Sequence, residues 1–107
     1  MTETEFNRLA DAVLERISRA LEESGADCDW ESKAGGVLEL EFGDGSRMVI
    51  NRHSAAQQIW VAARSGGYHF RHDGTRWVDT RDGTELFATL SRQVSEQSGA
   101  PVILGGA

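Results

Sequence analysis

Apolar residues recur along this chain at two different spacings, and each change of spacing marks a boundary between elements. Over residues 2–24 they fall at Phe6, Leu9, Ala10, Val13, Ile17, Ala20 and Leu21, the three-and-four rhythm of a helix that buries one stripe. Thr2 and Glu5 stand at the spacing of a capping box, and Gly25 closes the helix. Residues 26–33 alternate instead, with Asp27, Asp29 and Glu31 on one side and Cys28 and Trp30 on the other. The alternation resumes over residues 37–42, 46–51, 58–63 and 68–72, and in a short segment around 76–79. Gly35-Gly36, Gly43-Asp44-Gly45, Ser65-Gly66-Gly67 and Asp73-Gly74 supply turns between these segments. A second helix presents Leu86, Phe87, Leu90 and Val94, takes Thr84 or Asp82 as its cap, and ends near Gly99. In the tail, residues 101–107, the apolar Val102, Ile103 and Leu104 are expected to pack against the helices.

Helix, consecutive strands and helix predict one α+β domain over residues 1–107. It is a two-layer sandwich, an antiparallel sheet of about six strands with the N- and C-terminal helices packed on one face. Leu38, Leu40, Phe42, Met48, Ile50, Ile59 and Val61 point toward the helices. The other face reads Glu39, Glu41, Arg47, Asn51, Gln58 and Trp60 and meets water. Trp60 is out of place there. A register slip of one residue would bury it but expose Ile59 and Val61. Two branched apolar side chains in water cost more than one indole, so the pattern favours an exposed Trp60. A tryptophan among polar neighbours has the composition of an interface centre.

The net charge of −6 sits in one place. Residues 1–31 hold nine acids against three bases, and residues 32–107 hold eight of each. Such a flank repels a phosphate backbone and attracts cations or a basic protein surface, which excludes nucleic acid as a partner. No apolar run is long enough to span a bilayer, so no membrane partner is expected. The acidic opening lacks the segments of a secretory signal, and the single cysteine, Cys28, fits a reducing compartment; both predict a cytoplasmic location.

Candidate chemistry is sparse. His53, His69, His72 and Cys28 have no zinc-site spacing, and no histidine is placed to activate Cys28. His69 and His72 read as solvated surface histidines, and no glycine-rich phosphate loop occurs. Projected around the first helix, Asp11, Glu15 and Glu22 fall within a band about 40° wide on the side away from the apolar stripe. A strand leaving directly from the helix end would carry Asp27 and Asp29 toward Glu22 and Glu23. Oxygen-only ligands spread on a surface suit hard cations, namely iron, calcium, magnesium or manganese, weakly held with water retained. The competing account is a solvated charged face with no ligand.

The residues resemble the frataxins, in their bacterial CyaY branch, over essentially the whole chain. The resemblance is carried by Glu5-Phe6 with Arg8-Leu9-Ala10-Asp11, Gly36-Val37-Leu38, Gly45-Ser46 and Ile50-Asn51-Arg52. Its most specific part is Gln58-Ile59-Trp60, Gly66-Gly67-Tyr68-His69-Phe70 and Trp77. Ser18 and Arg19 depart from it, standing where related sequences often carry acids. The resemblance implies a frataxin-like sandwich that binds ferrous and ferric iron on an acidic ridge. It also implies a role in iron–sulfur cluster assembly, through contact with the cysteine desulfurase and the scaffold protein. Asp11, Glu15, Glu22, Glu23, Asp27, Asp29 and Glu31 match the ridge, and Asn51, Gln58 and Trp60 match the sheet residues associated with partner contact. The expectation is a non-enzymatic regulator, monomeric, with metal-driven oligomers as a variant. A ferroxidase or iron-storage protein, or an adaptor for which metal is incidental, are the alternatives.

Overall fold

The computed structural model describes residues 1–105, so Gly106 and Ala107, the end of the expected domain and tail, lie outside the described residues. Helix α1, Glu3–Ser24, begins where the chain predicts, with the Thr2 hydroxyl accepting from the Glu5 N–H and the Glu5 carboxylate reaching back to Thr2. Gly25, at φ 68°, ends it in the left-handed conformation that a residue without Cβ adopts cheaply. Six strands follow: β1 Cys28–Lys33, β2 Val37–Phe42, β3 Arg47–His53, β4 Gln58–Ala63, β5 Gly66–His72 and β6 Trp77–Asp79. Each pairs antiparallel with the next, giving a meander in the order β1-β2-β3-β4-β5-β6. Helix α2, Leu86–Ser98, closes the fold.

The sheet buries the predicted face. Leu38, Leu40, Met48, Ile50, Ile59, Val61 and Phe70 join Phe6, Val13, Ile17 and Leu21 of α1 and Leu86, Leu90 and Val94 of α2 in one core. Fully burying a side chain of this size contributes about 1.5–3 kcal/mol, so the two helices and the sheet hold one another. Trp77, 2% exposed, extends this core to the last strand, its ring meeting Phe6 edge-on at 6.0 Å.

Several details differ from the sequence expectation, among them the start of β5, which takes in Gly66 and Gly67 of the expected turn because they pair with Ala63 and Ala62. Strand β1 starts at Cys28, which leaves Asp27 in the bend before it. Strand β3 continues to His53 because Arg52 and His53 pair with Ile59 and Gln58. The cap of α2 is Glu85, whose carboxylate accepts from the N–H groups of Phe87 and Ala88, while Asp82 caps its own turn through the Thr84 N–H. In the tail Leu104 joins the core and Val102 packs on it, but Ile103 is 86% exposed, since an extended segment can bury only alternate residues.

Candidate functional site

Two groups of residues were singled out by the sequence, and the fold treats them differently. Among the acids, Asp11 is paired with the Arg52 guanidinium of β3, and Glu15 accepts from Arg19 one helical turn on at 3.3 Å. Arg52 passes directly over Gly36, where a built Cβ would sit 2.7 Å from its side chain. Asp11, Glu15, Ser18, Lys33 and Gly36 line one groove, between α1 and the start of β2.

Asp29 and Glu31 lie on the opposite face of the sheet from the helices. They stand across from Glu41 and Glu39 of β2, two like-charge pairs facing one another in register. Both β2 acids have a cation, Lys33 at 3.0 Å from Glu39 and Arg47 at 3.2 Å from Glu41. These residues line a second groove, of about 350 Å³, on the open face of β1 and β2. Glu39 and Glu41 were legible as open-face residues, but only the register shows that they adjoin the β1 acids.

Glu22, Glu23 and Asp27 line neither groove. Together with Asp29 and Glu31 they make five exposed carboxylates, within ten residues of chain, that no described cation pairs. Both settings disfavour negative charge. Glu22 and Glu23 occupy the last turn of α1, which carries no base, so they face the negative end of the helix dipole. Asp29 and Glu31 oppose like charges on an edge strand. Among the described residues no three Asp, Glu, His or Cys side chains converge closely enough to hold a metal ion. The acids are therefore a row of separate oxygen donors, suited to a hard cation that keeps most of its water.

On the open face the register is as predicted, with Ile59 and Val61 buried at 0% and 1% and Trp60 between them on the outer side. Its indole is not bare, however. Trp60 stacks between the imidazoles of His53, at 3.8 Å and 14°, and His69, at 4.4 Å and 11°. Its N–H donates to the Gln58 side-chain oxygen at 2.7 Å. Cross-strand pairing puts Asn51, Trp60 and His69 in one row and His53, Gln58 and Arg71 in the next. Asn51 turns its side-chain amide onto the Arg52 carbonyl, 3.2 Å away. The stacking of His53 and His69 on Trp60 was missed because it depends on register and twist across neighbouring strands, and spacing along one strand does not reveal it.

The remaining chemistry stays with the fold. His72 lies on the opposite face from His69 and meets Trp77 edge-on at 5.1 Å, so the two histidines do not form a pair. Burial raises the Cys28 thiol above its ordinary range, and the neighbouring Asp29 and Asp27 carboxylates push the same way, which leaves it a poor nucleophile. No helix among the described residues is long and apolar enough to cross a membrane.

Comparison with known proteins places this geometry. The family model described as a frataxin-like domain matches residues 1–100. A protein of Dechloromonas aromatica named iron-sulfur cluster assembly protein CyaY is 54% identical over 97% of this chain and 99% of its own length. The solved structure of a frataxin from Psychromonas ingrahamii superposes with a TM-score of 0.90 at 34% identity, covering 98% of this chain and 99% of that one. A trimeric frataxin from Saccharomyces cerevisiae, complexed with ferrous iron, superposes with a TM-score of 0.66 at 28% identity, covering 92% of this chain and 88% of that one.

Proposed function

The chain belongs to the frataxin family, and from that membership we propose that it serves iron–sulfur cluster assembly in the cytoplasm as a non-enzymatic, iron-binding regulator. Iron is its cargo, taken up as ferrous or ferric ion by the carboxylates of α1 and β1. The single observation that carries this reading is the set of five unpaired acids, Glu22, Glu23, Asp27, Asp29 and Glu31, four of them placed where they cost the fold stability. Local stability does not account for them, and a positively charged ligand does. Asp11 and Glu15 already have guanidinium partners, so they rank behind the other five as ligands.

The same flank suits a basic surface on the cysteine desulfurase, while Asn51, Gln58 and Trp60 on the open face suit the scaffold protein. The free chain acts as a monomer in this reading. Sedimentation with and without iron separates that from metal-driven association.

An amide chemical-shift map tests the site. Adding ferrous iron is expected to perturb residues 22–31 before residues 11–15, and adding the desulfurase is expected to perturb an overlapping set. Iron signals centred elsewhere, or a desulfurase footprint that leaves residues 22–31 untouched, would remove the proposal. Equal desulfurase affinity with and without iron would favour an adaptor for which metal is incidental.

A further inference from the structure

We infer that the stack of His53, Trp60 and His69 is the recognition element of the open sheet face, and that it accepts a partner segment carrying carboxylates, with Arg71 as their counter-charge. This deepens the scaffold-docking reading above and rests on it. His53 and His69 are positioning residues in this scheme.

The stack determines what a partner meets. Both faces of the Trp60 indole are covered by imidazole rings lying within 14° of parallel, and its N–H is taken by Gln58. A partner therefore contacts the edges of a fixed three-ring block and cannot insert a ring of its own against the indole. The His53 ring is itself anchored, its Nδ1 accepting from the Ala56 N–H at 3.2 Å. An indole already held in one orientation loses little freedom on binding, which adds to the share a tryptophan can take in an interface.

Charge selects the partner. The open-face positions of β4 and β5 are Gln58, Trp60 and Ala62, then Gly67, His69 and Arg71, with no acid among them. Arg71 is exposed beside Gln58 and pairs with none of the described acids. The acids of this face lie on β1 and β2, out of register with the stack, since the Trp60 row continues through Asn51 to Val37, and Lys33 and Arg47 stand among them. A segment bearing carboxylates thus finds its counter-charge at Arg71 and its apolar contact on the ring block, whereas a basic segment is repelled there.

Calorimetric titration of the full chain with the scaffold protein tests this, together with the indole N–H resonance of Trp60 in the free chain. Trp60→Ala is expected to weaken binding at least about tenfold, as removal of an interface anchor does. His53→Ala and His69→Ala are each expected to weaken it about five- to tenfold and to shift and broaden the indole resonance. His69→Phe, which keeps a stacked ring, restores affinity to within about twofold of the native chain. Arg71→Glu lowers affinity about tenfold and reduces its dependence on salt. If Trp60→Ala weakens binding but the histidine and arginine variants all stay within about twofold, the inference is overturned while the docking reading stands. If Trp60→Ala itself leaves binding unchanged, both fall. Histidine variants that lower thermal stability without lowering affinity also overturn it, since the stack then serves only the sheet.

Discussion

Trp77 and Trp60 each sit beside a histidine on the same sheet, yet the two faces use the pair in opposite ways. On the inner face Trp77 meets Phe6 and His72 edge-on, and its ring is closed off from water. On the open face Trp60 lies flat between two imidazoles and remains partly exposed. Edge-on packing fills a core in three dimensions, whereas a parallel stack builds a ridge along a surface. The inner face is arranged for cohesion and, in the function proposed above, the open face serves contact, while four of the acids of α1 and β1 sit where like charge or the helix dipole opposes them.

The largest effect that could break this contrast is a pair of truncations. Trp77→Ala is expected to cost about 3–5 kcal/mol in a urea titration, as other buried aromatic deletions do. Trp60→Ala should cost under about 1.5 kcal/mol, because its ring lies on the open face, only partly buried, and its removal opens no cavity in the core. Equal losses would mean that the open-face stack is part of the core. Next in size is a gain: Glu22→Gln with Glu23→Gln should stabilise the chain by about 0.5–1.5 kcal/mol through relief of the helix dipole, while iron-induced shifts at residues 22–31 diminish. A loss of stability would show that those carboxylates have fold partners after all.

Smaller still, Arg52→Ala is expected to lower stability by about 0.5–1 kcal/mol, much of it from the packed stem of a mostly buried arginine, and to free the Asp11 carboxylate for cations. Ferrous iron should then perturb residue 11 earlier in the titration than in the native chain. The smallest effect is on pH. Asp73 is held below its ordinary range by the N–H groups of Arg76 and Thr75, and Asp82 by Thr84. A carboxylate whose folded pKa lies below its unfolded one stabilises fully above about pH 4, and that contribution is lost as pH falls through the folded value. The stability that Asp73 adds over the Asp73→Asn variant should therefore shrink as pH falls below about 4, read as the difference between their thermal midpoints. A difference that grows on acidification would contradict the assignment.

Period and punctuation carried most of the fold. The capping box of Thr2 and Glu5, the αL residue Gly25 and the inward row from Leu38 to Val61 follow from local rules that the sequence states directly. The Glu85 cap did not, because glutamate is an uncommon cap and Thr84 and Asp82 beside it fit the usual preference better. The candidate site was legible in its parts. That Asp29 and Glu31 share a strand face could be read from alternation, but that Glu41 and Glu39 oppose them is a matter of register. Which acids are neutralised was beyond reach, since Arg52 meets Asp11 across 41 positions of sequence by way of a long side chain that no periodicity tracks.

That last contact depends on an absence of atoms. Gly36 adopts φ 76° and its carbonyl accepts from the Arg52 N–H, so backbone and side chain of Arg52 both run over the one residue that leaves them room. Any other residue there would push the guanidinium aside and hand the first half of the helix another unquenched negative charge. A single hydrogen in place of a methyl group thus sets where along the flank the attraction for cations begins.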